Sequence, residues 1–200
     1  MSNVSFEQIF KSNDSNRDKF LSRIFGIFSE KFVHFWCECP QSPYKDLGRP
    51  TIKLPDEKRG YTLDFSFQSK QDGNIFIGEL KCELEYENYK YLTLASPSQL
   101  DHHNKEAFKR FLDIGKNNDQ YKVTINNKIV SVSGAILVWG SITPEGRRNI
   151  INYTGLADVL SLEQIINDLI NWNNQDYIDF NQQRETWCQE LFIILGRKVH

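Results

Sequence analysis

The sequence predicts an α/β fold, with one mixed sheet in the middle and helices packed on both of its faces. Three observations carry this. Between residues 61 and 84 apolar and polar residues alternate with the period of a strand and reverse at a turn. Residues 134–140, GAILVWG, are a short apolar run between glycines, the pattern of a strand covered on both sides. Around these lie stretches with helical apolar spacing and clear start signals, so strands and helices are interleaved along the chain.

The first strong element is a helix over 17–36, where Phe20, Ile24, Ile27, Phe28, Phe32 and Phe35 build one broad apolar face. Pro40, Pro43, Pro50 and Pro55 then make 40–60 a loop, with at most a short strand at 51–54. In 61–68, Tyr61, Leu63, Phe65 and Phe67 alternate with Thr62, Asp64, Ser66 and Gln68. A second strand over 74–84 follows, joined through Asp72-Gly73, a type I′ turn signal. Ser96-Pro97-Ser98-Gln99 has an N-cap, an N1 proline and a capping-box glutamine, and opens a helix through about Ile114. Residues 121–132 form a second, polar-tipped hairpin. Thr143-Pro144-Glu145 starts a short helix, 157–160 is a further buried strand, and Ser161 to Gln164 is another capping box before a helix to about Trp172. A last helix runs from Asp176 to Leu195 and stops at Gly196, with Arg197 and Lys198 beyond. With no repeat and no linker, residues 1–200 are expected as one domain, with a core over 17–172 and a helical extension over 173–200.

Composition narrows the function. The net charge of −2 gives no global attraction to phosphate, so nucleic-acid binding must rest on a local basic face or on a metal. No stretch reaches the roughly 20 apolar residues of a membrane helix. The first twenty residues have neither the charged nor the apolar region of a secretory signal. Cys37, Cys39, Cys82 and Cys188 form no C-x-x-C pair, which predicts reduced thiols in a cytoplasmic protein.

The polar side of the first hairpin carries the chemistry. A turn centred on Asp72-Gly73 sets Asp64 opposite Lys81 and diagonal to Glu79; centred one residue earlier, it sets Asp64 opposite Glu79. Either way Asp64, Glu79, Lys81 and Glu83 share one face. Two carboxylates paired across strands repel by about 0.2–1 kcal/mol. A solvated face with Lys81 bridging the acids is one reading of this pattern, and a metal site is the other. Carboxylates are the hard ligands Mg²⁺ prefers. A lysine beside such an ion positions or activates water and offsets charge on a phosphoryl transition state.

Asp64, then fourteen residues, then Glu79-Leu80-Lys81 resembles the signature of the PD-(D/E)xK nuclease superfamily, the restriction-endonuclease-like proteins. The order of elements over 17–140 is similar to that family's core of helix, three-stranded meander, helix and further strand. Residues 135–169 are similar in pattern to the end of Mrr-like members. The resemblance implies a restriction-endonuclease-like fold and a Mg²⁺-dependent DNA endonuclease of restriction, defence or repair, with Mn²⁺ as a substitute ion and RNA as another possible polymer. It implies a homodimer for duplex cleavage. It also implies that Asp64, Glu79 and the backbone carbonyl of Leu80 ligate the metal while Lys81 serves the water. Glu30 on the first helix matches an acid at the site's edge, and equally suits solvent exposure. Gln99 matches a polar residue near the phosphate, beside its capping role. Leu63 stands where the signature has proline. Pro55-Asp56 spells the literal motif but lies in a charged loop without strand pattern, so Asp64 is preferred. The alternative is a non-catalytic nucleic-acid or protein interaction module on the same fold.

Other residues have two readings each. His102-His103, expected on a helix, would point about 100° apart and form no paired ligand set. Lys105, Lys109 and Arg110 on that helix and Arg147 and Arg148 on the next are candidate phosphate contacts or plain solvated faces. Lys45, Arg49, Lys53, Lys58 and Arg59 form a second basic cluster in the proline-rich segment. Trp172, Tyr177, Phe180, Trp187 and Phe192 are expected as core or as a dimer surface.

Overall fold

The computed structural model describes residues 3–196. The chain opens with a one-turn helix α1 (Phe6–Phe10) and the long α2 (Ser15–Glu38), whose N-cap Asp14 accepts the Asn16 and Arg17 N–H groups. Strands β1 (Tyr44–Asp46), β4 (Phe65–Ser69), β5 (Ile75–Lys81), β9 (Gly134–Trp139) and β11 (Asp158–Ser161) form the central sheet in the order β1-β4-β5-β9-β11. β4 and β5 pair antiparallel across a short loop, and β1 pairs antiparallel with β4 although β2 and β3 intervene in the chain. β5, β9 and β11 are parallel, each joined by a crossover that carries a helix. The sheet is therefore mixed, as the sequence predicts.

A smaller sheet, β3-β2-β7-β8, takes β2 (Thr51–Lys53), β3 (Tyr61–Thr62), β7 (Lys122–Ile125) and β8 (Lys128–Val130). The last two are the expected polar-tipped hairpin; Asn126 and Asn127 at its tip have φ of 48° and 63°, the conformation of a type I′ turn. Two further short strands, β6 (Thr93–Leu94) and β10 (Ser141–Ile142), pair in parallel. Between β5 and β6 lies α3 (Tyr86–Tyr89), a turn in which Glu87, Asn88 and Tyr89 all have positive φ.

Helices cover both faces of the central sheet. On one face α2 and α6 (Leu162–Asn171) bury Phe32, Phe35, Trp36, Ile165 and Leu169 against Phe65, Phe67, Ile136 and Val138. On the other, α4 (Glu106–Asn117) and α5 (Pro144–Thr154) bring Phe108, Phe111, Ile114 and Ile150 onto Ile77, Ala135, Leu137 and Trp139. Every residue of β9 is buried, which is why its sequence is apolar without alternation. α7 (Gln175–Leu195) lies outermost. Tyr177 and Phe180 pack on Phe32, whereas Trp187 is 51% and Phe192 54% exposed. The aromatic tail thus divides between core edge and open surface. Gly196 caps α7, and the expected Arg197-Lys198 stop lies outside the described residues. No described helix is long and apolar enough to cross a membrane.

Four local expectations are corrected. First, the strand expected over 61–68 is two strands: the chain leaves the small sheet at Thr62, the Leu63 N–H bonds the Pro50 carbonyl, and pairing in the central sheet begins at Phe65. Second, the hairpin loop is not a two-residue type I′ turn. Ser69 and Asn74 close a four-residue loop in which Gly73, but not Asp72, has positive φ, and Lys70 is tied to the Pro43, Cys37 and Cys39 carbonyls. Third, β1 lies inside the presumed loop; an edge strand tolerates prolines at its ends. Fourth, the helix expected from Pro97 to Ile114 is broken. A 3₁₀ turn (Pro97–Leu100) precedes α4, because the Gln99 amide holds the first turn against Lys90 and Thr93 while α4 must lay its apolar face on the sheet.

Candidate metal centre

Asp64 sits at the corner where the chain passes from one sheet to the other. Antiparallel pairing in the hairpin sets Phe65 opposite Gly78, so the next position, Asp64, falls opposite Glu79; this is the second of the two registers the sequence allowed. Asp64 makes no strand pairing of its own. Instead its Oδ2 accepts the Leu80 N–H at 2.9 Å, and its Oδ1 accepts from Arg49 Nη2 at 3.2 Å. The N–H and C=O of one strand residue point to the same side, so the Leu80 carbonyl also faces the Asp64 corner.

Glu79 and Lys81 follow on β5, paired in parallel with Leu137 and Trp139 of β9. Glu79 is only 8% exposed. Its Oε1 accepts from Lys81 Nζ at 2.6 Å, and its buried Oε2 has no hydrogen-bond partner among the described residues. Burial raises the Glu79 pKa above the ordinary carboxylate value; Lys81 opposes the rise and the Asp64 charge adds to it. A carboxylate in this position favours a cation. Lys81 Nζ also lies 5.2 Å from the Phe108 ring centroid, inside cation–π range. Gly78 is needed just before this pair: a Cβ there would lie 2.4 Å from Phe67 and 3.0 Å from Phe65.

Glu79 and Lys81, but not Asp64, line a cleft of about 330 Å³, whose far wall is the start of α4 and the turn before it. Glu83, His102, His103 and Lys105 share that cleft with Glu79 and Lys81. A larger cleft of about 710 Å³ lies beside Arg147 and Asp158 and contains none of the signature residues.

The remaining candidates are placed as follows. Glu30 is exposed on α2, and its carboxylate makes no hydrogen bond or ion pair among the described residues. The Gln99 side chain is buried and fully engaged: it accepts from the Ala95 and Ser96 N–H groups and donates to the Lys90 and Thr93 carbonyls, so no donor remains for a phosphate. Arg110 is held by Glu106 and Glu57, and Arg147 by both oxygens of Asp158. Lys109 and Arg148 are exposed, and Asp56 is exposed in the turn after β2.

Two features were missed in the sequence. Arg49, expected only as part of a basic loop, lies against Asp64. The signal was available, since an antiparallel register with Thr51 opposite Thr62, carried two residues further, sets Arg49 opposite Asp64. His102 and His103 are expected on a helix, where their rings would diverge. In the turn they adopt instead, both face Glu83, and their ring centroids are 3.7 Å apart. The four cysteines carry free thiols, as expected, with Cys37 and Cys39 buried. Comparison with family models, with curated proteins and with solved structures gives no match for this chain.

Proposed function

We propose that the chain is a metal-dependent nuclease of the restriction-endonuclease-like fold, hydrolysing DNA phosphodiester bonds at the Asp64, Glu79 and Lys81 corner. The observation that carries the reading is the buried, unpartnered Oε2 of Glu79, opposite Asp64 and beside a lysine. The order of α2, the β1-β4-β5 meander, α4 and the parallel β9 supports the fold assignment.

The residues fit Mg²⁺, or Mn²⁺ in its place. Asp64, Glu79 and the Leu80 carbonyl would hold the ion: three oxygen ligands of the hard type, with waters and a phosphate oxygen left to complete the shell. When bound, the ion polarises the phosphoryl oxygen and acidifies its water. The chain's own groups do the rest. An ammonium has three donors, and Glu79 takes one from Lys81, which leaves two for a water and a phosphate oxygen. The Lys81 charge opposes the negative charge that builds on phosphorus as water attacks. Lys105 at the cleft mouth and the exposed Lys109 and Arg148 are the cations available to the polymer backbone. Arg110 and Arg147 would have to leave their carboxylates to join them.

Duplex cleavage calls for two such corners, and a homodimer is part of the proposal. The apolar side chains on the last turns of α7, Leu191, Phe192, Ile193, Ile194 and Leu195, are all exposed, which supports self-association. Free thiols support a reducing, cytoplasmic setting.

The test is incubation of the purified chain with supercoiled plasmid, linear single-stranded DNA and RNA, in Mg²⁺, Mn²⁺ or chelator, beside Lys81→Ala. Metal-dependent cutting lost in the variant supports the reading and identifies the polymer. Binding of a polymer without cutting in any metal would instead favour an interaction module on this fold.

A further inference from the structure

His102 is fixed at both ring nitrogens. Nδ1 lies 3.0 Å from the Gln99 carbonyl oxygen, which only accepts, so Nδ1 carries the hydrogen. In the neutral ring Nε2 is then the lone-pair nitrogen, and it lies 2.5 Å from Glu83 Oε2. Two lone pairs at that distance repel unless a proton stands between them, and a metal ion held by both atoms would spread them to roughly 3.3 Å. His103 supplies a second nitrogen on the same side, with Nδ1 3.8 Å from Glu83 Oε1. One ligand atom from each of the three residues lies within 4.8 Å of the other two.

The surroundings of the two rings suit a metal. The outer nitrogen of His102 donates to a backbone carbonyl, the usual companion that fixes the tautomer of a metal-bound histidine. The His103 ring is packed against Phe108 and Trp139, which holds its Nδ1 edge toward Glu83.

We propose that Glu83, His102 and His103 form a three-ligand site for a borderline divalent ion of the Zn²⁺ kind, with its fourth position open to the cleft that Glu79 and Lys81 also line. Two imidazoles and one carboxylate suit Zn²⁺, whereas the all-oxygen corner at Asp64 suits Mg²⁺. The site stands apart from the nuclease reading. The same contacts without a metal would be a protonated His102 paired with Glu83, and the experiment separates the two.

Chelator-treated, dialysed full-length protein is titrated with Co²⁺ while visible absorption is recorded, and Zn²⁺ is then added in competition. The expected result is one equivalent of Co²⁺ with the intense d–d bands of four-coordination, displaced by Zn²⁺. Glu83→Gln and His102→Ala should each weaken binding by roughly 10–100-fold or more. Asp64→Asn should leave it unchanged. Glu83 stands at the cleft mouth, so Glu83→Gln decides the matter if His102→Ala fails to fold. Only the weak bands of six-coordinate Co²⁺, or binding that Asp64→Asn abolishes and Glu83→Gln does not, would overturn the site.

Discussion

Asp64 and Leu80 meet across the end of the β4–β5 pairing: the Asp64 carboxylate takes the Leu80 N–H at 2.9 Å, where a continued strand would have offered a backbone carbonyl. The corner between two sheets thus converts a ladder position into a carboxylate beside Glu79. The same carboxylate holds Arg49, so a metal at this corner must compete with a guanidinium for Asp64.

Arg49→Ala is therefore expected to tighten Mg²⁺ binding several-fold. The arginine is 56% exposed, so the ion pair itself contributes no more than about 1 kcal/mol to stability. Calorimetric titration of both proteins with Mg²⁺, next to urea unfolding in chelator, checks the two halves. Weaker metal binding in the variant would mean that Arg49 supports the site rather than blocking it.

Glu79 makes the metal-free protein sensitive to pH. Its folded pKa is raised, so the native chain keeps a proton that the unfolded chain has already released. Stability is full below the ordinary carboxylate pKa and falls as pH rises through the raised value. Glu79→Gln should remove that fall, and saturating Mg²⁺ should offset it in the parent protein. Unfolding free energies in chelator from pH 4.5 to 8 provide the comparison; identical slopes for the two proteins would contradict the placement of Glu79.

His103 acts with the opposite sign. Its folded pKa of about 3 lies below the ordinary 6.5, so the unfolded chain takes up a proton first as the solution is acidified. Stability falls below pH 6.5, with a slope of at most about 1.4 kcal/mol per pH unit from this group. His103→Gln should flatten the acid limb in a urea series at pH 7.5, 6.0 and 5.0.

Gly78→Ala should destabilise the fold by about 1–3 kcal/mol, the range for overpacking a filled core, because its Cβ would meet Phe67 and Phe65 on the neighbouring strand. Any shift of β5 away from β4 would also part Asp64 from Leu80. Loss of metal affinity beyond the loss of stability is the expected companion, read from the same protein by titration.

Much of the layered fold was legible in the sequence because the signals were local. Alternation in β4, the apolar run of β9 and the capping residues of α5 and α6 each act within a few neighbours. The Asp64, Glu79 and Lys81 face was legible too, since strand parity survives an uncertain turn. What was lost depended on distant partners. The break at Leu63 arises from pairing with β2, twelve residues upstream at Thr51 opposite Thr62, and that pairing is also what brings Arg49 to Asp64. The convergence of His102 and His103 on Glu83 required a helix to end at Leu100, and the cause is the Gln99 amide bonding back to Lys90 and Thr93. A capping box read by itself announces a helix start without telling how soon that helix stops.

The most direct measurement is metal-dependent cleavage of supercoiled plasmid by the parent protein and by Lys81→Ala and Asp64→Asn, each shown by circular dichroism to be folded. The account predicts cutting in Mg²⁺ or Mn²⁺, abolished by chelator and reduced by about 10²–10⁴-fold in Lys81→Ala, with Asp64→Asn also losing Mg²⁺ affinity. Undiminished cutting in both variants would contradict the assignment of the reaction to this corner.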